Sequence, residues 1–323
     1  MRRMVVALGA GLALLAVVAG PSVAQEAWPS RSIRMVVPFP PGGGTDALAR
    51  AIVERMQKSL GQTIVIDNRG GAGSNLGHEI VAKTPPDGYT ILVSGGNLPL
   101  FPFVVAKLGY DPATAFAPIG FIAKQESILV GSANAPFKDL KAIMDAARGS
   151  GGVQFGTAGV TTPMHLAGEQ FGILNKLKLT HVPFKGTGPL VADLLGGHID
   201  IGVSSLNSIQ AHLVAGKAKP YAIASQARSH LVPDVPTFKE LGAGDVEGAI
   251  IYTLLAPAGT PPATMAKLNA ALNAAVATPD ARADLEKRGF VAMGGTPEAL
   301  GTWLAEQAPV WGPVMRAAGI KPE

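Results

Sequence analysis

The chain of 323 residues contains no cysteine. That excludes disulfides, a thiol nucleophile, cysteine-ligated zinc or iron–sulfur clusters, and a cysteine-anchored lipid. Aromatic residues make up 6% and charged residues 15%, against 47% hydrophobic, so the chain is too apolar and too weakly charged to be disordered. No run of five or more Lys or Arg is present to mark a basic patch. The formal charge of +4 drops to +2, with 25 basic against 23 acidic residues, once Arg2 and Arg3 are set aside, which argues against a nucleic-acid partner. There is no internal repeat and no low-complexity linker. After the first 24 residues no segment is long and apolar enough to span a bilayer.

Those first 24 residues have a layout of their own. Met1-Arg2-Arg3 is a positive start, Met4 to Gly20 is almost wholly apolar, and Pro21 precedes Ser22-Val23-Ala24. Small residues at −3 and −1 predict a secretory signal peptide cleaved before Gln25. The alternative, a membrane anchor, fits less well, because the run is marginal in length and lacks a positive stop signal. The mature protein is expected to be soluble and periplasmic.

From there the sequence alternates strand and helix. Apolar runs at 33–39, 63–66, 89–93, 127–130, 153–155, 179–184, 199–203 and 221–224 read as strands. Leu48, Ile52, Met56 and Leu60 form one stripe of a helix over 45–60. Further helices are predicted over 140–148, 164–174, 190–195 and 209–215, with an Ala-rich helical tail from Pro262. Strands separated by helix-length segments argue for parallel α/β sheets, and the length for two domains. Pro309 and Pro313 are expected to kink or end the last helix.

Two strand-to-helix junctions carry the most chemistry. Pro38-Phe39-Pro40-Pro41-Gly42-Gly43-Gly44-Thr45-Asp46 follows a strand and opens a helix, so its glycines allow close backbone approach and its free N–H groups suit an anion. It has no lysine, so it is not a phosphate loop. Thr157-Ala158-Gly159-Val160-Thr161-Thr162-Pro163-Met164-His165 repeats the design on a second unit, and the two can clamp one anion between them. His165 either points into that cleft or bonds its own helix start. Gly71-Ala72-Gly73-Ser74-Asn75-Leu76-Gly77 is a poor dinucleotide fingerprint. Its third glycine comes one place late, and Asn97 stands where an acid would read a ribose, so a structural loop is expected. The histidines show no metal spacing and no serine sits in a Gly-x-Ser-x-Gly elbow, so neither a metal site nor a cofactor is expected and an exported hydrolase is the weakest reading. Asp200 begins a strand and either faces a ligand or is a solvated strand end.

These residues resemble the Bug (TctC-type) extracytoplasmic solute-binding proteins of tripartite tricarboxylate transporters. The likeness runs from Trp28-Pro29 to Gly319-Ile320-Lys321. It rests on the proline–glycine junction, Asp67-Asn68-Arg69-Gly70-Gly71-Ala72-Gly73, Pro86-Asp87-Gly88-Tyr89-Thr90, His165-Leu166-Ala167-Gly168-Glu169, His181-Val182-Pro183-Phe184-Lys185-Gly186, Pro233-Asp234-Val235-Pro236-Thr237 and Ala256-Pro257-Ala258-Gly259-Thr260-Pro261, in that order. The resemblance implies a two-domain α/β periplasmic binding protein fold of type II, each domain a mixed sheet flanked by helices. Domain 1 would comprise 25–125 and 251–323, domain 2 would comprise 126–250, and two crossing strands would form the hinge. It implies a monomer that holds a small carboxylate in the cleft and delivers it to transporter membrane subunits, or reports it to a sensor kinase. The implied contacts are Phe39, Pro40, Gly42, Gly43, Gly44, Thr45, Asp46 and Asn97 on one side. On the other they are Thr157, Ala158, Gly159, Val160, Thr161, Thr162, His165, Asp200 and Ser204. Where such proteins commonly carry small polar residues before the histidine, this chain has Ala158, Val160 and Met164. That departure predicts a ligand with an aliphatic or aromatic body, in preference to citrate.

Overall fold

The structure is a computed structural model that describes residues 28–160 and 162–322. The signal-peptide reading and Thr161 lie outside the described residues. No described helix is long and apolar enough to cross a membrane.

Strand β1 (Ile33–Val37) leads into α1 (Gly44–Leu60), then β2 (Ile64–Asn68), α2 (Asn75–Ala82) and β3 (Thr90–Ser94). The expected stripe holds: Leu48, Ile52 and Met56 are fully buried, each burial being worth about 1.5–3 kcal/mol. Gly61, in the left-handed conformation, ends the helix. The segment expected as a loop, 71–77, gives its last three residues to α2. Its Gly77 packs so tightly on the first junction that a Cβ there would stand 2.6 Å from Pro38 Cβ, so this glycine serves packing and not a phosphate.

Strand β4 (Phe116–Gln125) then passes, through Glu126 alone, into β5 (Ser127–Ser132). A second set of elements follows: α3 (Leu140–Arg148), β6 (Val153–Thr157), α4 (Pro163–Asn175), β7 (Leu179–Pro183), α5 (Thr187–Leu195), β8 (Ile201–Ser205), α6 (Leu206–Val214) and β9 (Ala218–Ile223). The chain returns in β10 (Ile250–Pro257) and finishes with α7 (Pro262–Ala277), α8 (Pro279–Lys287), β11 (Val291–Ala292) and α9 (Pro297–Ala317).

The strands form two sheets, ordered β11-β4-β10-β3-β1-β2 and β7-β6-β8-β5-β9. Both are mixed. β1 is parallel to β2 and β3, and β6 to β7 and β8, as the alternation predicts. The strands that carry the chain between sheets run against their neighbours: β10 is antiparallel to β3 and β4, and β5 to β8 and β9. Each sheet with its helices makes one lobe. At the crossing, Gln125 and Ile250 are direct ladder partners.

Pro309 and Pro313 do not end the last helix: α9 runs through both. A proline frees the carbonyl four residues back. Both prolines and Ala305 are exposed, so the freed groups face solvent, while Trp311 and Met315 on the opposite face hold the helix in a cluster with Leu100 and Leu166.

Candidate functional site

Between the lobes lies a cleft of about 490 Å³ at the carboxyl ends of β1, β6 and β8. Open α/β sheets hold ligands at this end because helices start there. Four helices begin at this cleft. Gly43-Gly44-Thr45 open α1, Thr162-Pro163-Met164 open α4, Gly186-Thr187 open α5, and Ser205 with Asn207 and Ser208 opens α6. The first N–H groups of a helix have no partner within it, and the helix dipole makes that end positive. Only α4 covers one of its own, Thr162 Oγ1 accepting from His165 N–H at 3.2 Å. The starts of α1, α5 and α6 have no side-chain cap. The remaining lining is Phe39, Pro40, Pro41, Gly42, Gly95, Asn97, Gln125, Ala158, Ile250 and Tyr252. No charged side chain lines the cleft among the described residues. What it offers an anion is therefore helix starts and neutral polar side chains, not formal charge.

Two crossing strands supply the floor. Tyr252 O–H donates to Gln125 Oε1 at 3.1 Å, and Thr45 bonds the same phenol, which burial pushes above its ordinary pKa. Gln125 Nε2 and Asn97 Oδ1 are buried without a hydrogen-bond partner among the described residues. Buried polar atoms in native proteins nearly always find partners; of the two, only Gln125 Nε2 is a donor, the kind of group a carboxylate oxygen requires.

Asp46 holds the first loop from behind. Its carboxylate accepts from Gly42 N–H at 3.0 Å, Arg50 Nε at 2.9 Å and Asn68 Nδ2 at 3.1 Å, and Asn68 also reaches Phe39 O. The Arg50 guanidinium, despite partial desolvation of the acid, keeps the Asp46 pKa below the ordinary carboxylate value. Asp46→Ala is expected to lower stability by about 1–2 kcal/mol, the worth of charge-assisted hydrogen bonds and a lost loop anchor. Because the folded pKa is depressed, this contribution is present above the unfolded pKa and lost as pH falls through the folded one. Melting temperatures of both proteins should converge in acid and separate at neutral pH.

The second loop has a similar support. Thr157 Oγ1 donates to Gly159 O at 3.1 Å and bonds His181 Nε2 at 2.7 Å. Burial first, and His165 next, push His181 down to about 3, so it is neutral at physiological pH. His165 stacks on His181 with ring centroids 3.7 Å apart and places Nε2 3.3 Å from Glu169.

Of the residues the sequence points to, Phe39, Pro40, Gly42, Gly43, Gly44, Thr45, Asn97, Ala158 and Thr162 line the cleft. Asp46, Thr157 and His165 stand behind the loops. Gly159 and Val160 do not line the cleft either, and Val160 is exposed. Asp200 precedes β8, at the end of that strand away from the cleft. Ser204 is wholly buried one place before Ser205, and successive strand side chains face opposite ways. Sequence reading passed over Gly95, Gln125, Gly186, Thr187, Ser205, Asn207, Ser208, Ile250 and Tyr252 as cleft residues. Among the described residues no cluster of three or more metal-ligating side chains occurs.

Two lobes joined by crossing strands, with an uncharged cleft between, define a solute-binding protein of the periplasmic binding protein fold. The chain belongs to the tripartite tricarboxylate transporter family receptors (TctC), whose profile matches residues 48–320. It is 37% identical over 290 residues to a UPF0065 protein from the tcbD-tcbE intergenic region of Pseudomonas sp. strain P51, covering 88% of this chain and 86% of that relative. Among solved structures it is similar to an R. palustris protein with adipate, at TM-score 0.83 and 32% identity over 92% of this chain and 100% of that one. It is also similar to MatC from Rhodopseudomonas palustris with bound malate, at TM-score 0.78 and 34% identity over 89% and 99%.

Proposed function

We propose that this protein is a periplasmic receptor that captures a small dicarboxylate or aromatic carboxylate between its lobes and delivers it to the membrane subunits of a tripartite tricarboxylate transporter. In this reading the described residues up to 125, together with those from 251 onward, make one domain, and 126–250 make the other. The carrying observation is the convergence of four helix starts on a cleft without charged side chains. Such a site attracts anions through backbone dipoles, as helix N-termini do elsewhere. The adipate and malate named for two similar structures agree with this chemistry. Phe39, Pro40, Pro41, Pro163, Met164, Ile250 and Tyr252 give the ligand's body an apolar bed. The export segment read at 1–24 supports the location, and the family's description supports the transporter partner.

The cleft also discriminates by what it lacks. An α-ammonium would leave water with no carboxylate to meet it, at a cost of several kcal/mol. Adipate or terephthalate is therefore expected to raise the melting temperature, because a ligand selective for the native state stabilises it. Citrate should do so weakly, and aspartate and glutamate not at all. A shift from aspartate equal to that from adipate, in a thermal-shift screen followed by calorimetric titration, would sink this reading.

A further inference from the structure

Asn207 stands in the first turn of α6 and lines the cleft, yet its other side rests on the opposite lobe. There it meets the turn that ends α8. Gly289, at φ +76°, accepts no side chain in that place: a Cβ would lie 2.3 Å from Asn207 Cβ and 3.1 Å from Asn207 Cα. Real Cβ atoms do not approach so closely, and the obstacle is partly backbone, so the seam itself would have to part. Asn207 Nδ2 reaches Arg288 O at 3.4 Å across the same seam, and His230 Nε2 meets Glu286 Oε1 at 2.7 Å beside it. Phe290, buried next to Gly289, packs edge-on to the cleft residue Tyr252 at 5.6 Å.

We infer that Gly289 is a positioning residue for ligand capture: by letting the α6 start close onto the end of α8, it sets where Asn207 stands in the cleft. Gly289 itself faces no ligand. The inference rests on the cleft being the carboxylate site.

The chain's lack of cysteine makes closure measurable without any ligand. A His230→Cys/Glu286→Cys pair, crosslinked by a short bismaleimide, reports the distance across the seam. Adding Gly289→Ala is expected to slow crosslinking several-fold. In the unmodified background, Gly289→Ala should weaken adipate binding about tenfold, a coupling typical of residues in direct contact. Gly61→Ala is the strain control, because Gly61 has φ +67° with nothing within 4 Å of a Cβ. It should lose stability through φ alone and leave adipate affinity unchanged. Asn207→Gly removes the 2.3 Å clash and leaves only the 3.1 Å approach to Cα, so the double variant should regain most, not all, of the adipate affinity of Asn207→Gly alone. A melting temperature that collapses in Gly289→Ala and recovers in part in the double variant, short of the wild type because the strain at φ +76° persists, supports the seam equally. Unchanged crosslinking in Gly289→Ala, or no recovery in the double variant, overturns the inference. If the wild-type protein binds no adipate while crosslinking still responds to Gly289→Ala, the positioning contact stands and the ligand reading fails.

Discussion

Gly43→Val is expected to weaken carboxylate binding by about two orders of magnitude, the loss of one or two charge-assisted hydrogen bonds. Gly43 is the N-cap of α1, with φ −80° and ψ 172°, a conformation open to any residue. A Cβ there meets only Pro40 O, at 3.7 Å. The loop itself therefore accepts the larger side chain. The fold should lose no more than the ~1 kcal/mol that a poor N-cap residue costs. What the isopropyl group obstructs is the approach to the first N–H groups of α1, where no side chain competes for them. Gly43→Ala should fall between the two. Calorimetric titration with adipate, alongside a melting curve, separates the cases. Wild-type affinity in Gly43→Val would remove the first loop from the site.

The pattern behind this prediction was partly legible in the sequence, and the limit of legibility has a physical cause. Helix α1 showed itself because its stripe, Leu48 to Met56, begins at its first turns. Helices α5 and α6 were read three residues short, at 190–195 and 209–215 instead of Thr187–Leu195 and Leu206–Val214. Their first turns hold Gly188, Pro189, Asn207 and Ser208. These residues look like a turn because they suit the start of a helix, where N–H groups lack helical partners. The cleft is made of such starts, so the residues left out include its lining residues Thr187, Asn207 and Ser208. Gln125, Ile250 and Tyr252 were hidden for another reason. They come from crossing strands far apart in sequence, and only the ladder pairing of Gln125 with Ile250 brings them together. The helix through Pro309 and Pro313 shows a local stop signal overridden by Trp311 and Met315 packing on the far face.

Gln125→Glu should abolish high-affinity binding at neutral pH, by about two orders of magnitude or more. A like charge facing a bound carboxylate costs several kcal/mol. The change is nearly isosteric, and Gln125 is 2% exposed, so it alters charge more than shape. Wild-type Gln125 offers Nε2 as a donor while Oε1 is taken by Tyr252. Glutamate keeps the acceptor for Tyr252 but replaces the donor with negative charge among the same helix starts that gather the ligand. The sign of the pH response follows. Burial and a neighbouring bound carboxylate both raise a carboxyl pKa. The ligand-bound variant therefore takes up a proton, and the protonated acid can again donate. Adipate affinity of Gln125→Glu should rise as pH falls, while the wild-type protein shows no such rise until the ligand itself protonates. Gln125→Leu separates charge from hydrogen bonding: it loses the donor, leaves the Tyr252 hydroxyl without its acceptor, and should bind more weakly at every pH without the acid recovery. Titrations in buffers of different ionisation enthalpy count the proton directly. Wild-type affinity in Gln125→Glu at neutral pH, with no proton taken up, would place the carboxylate elsewhere and leave Gln125 a hinge residue only.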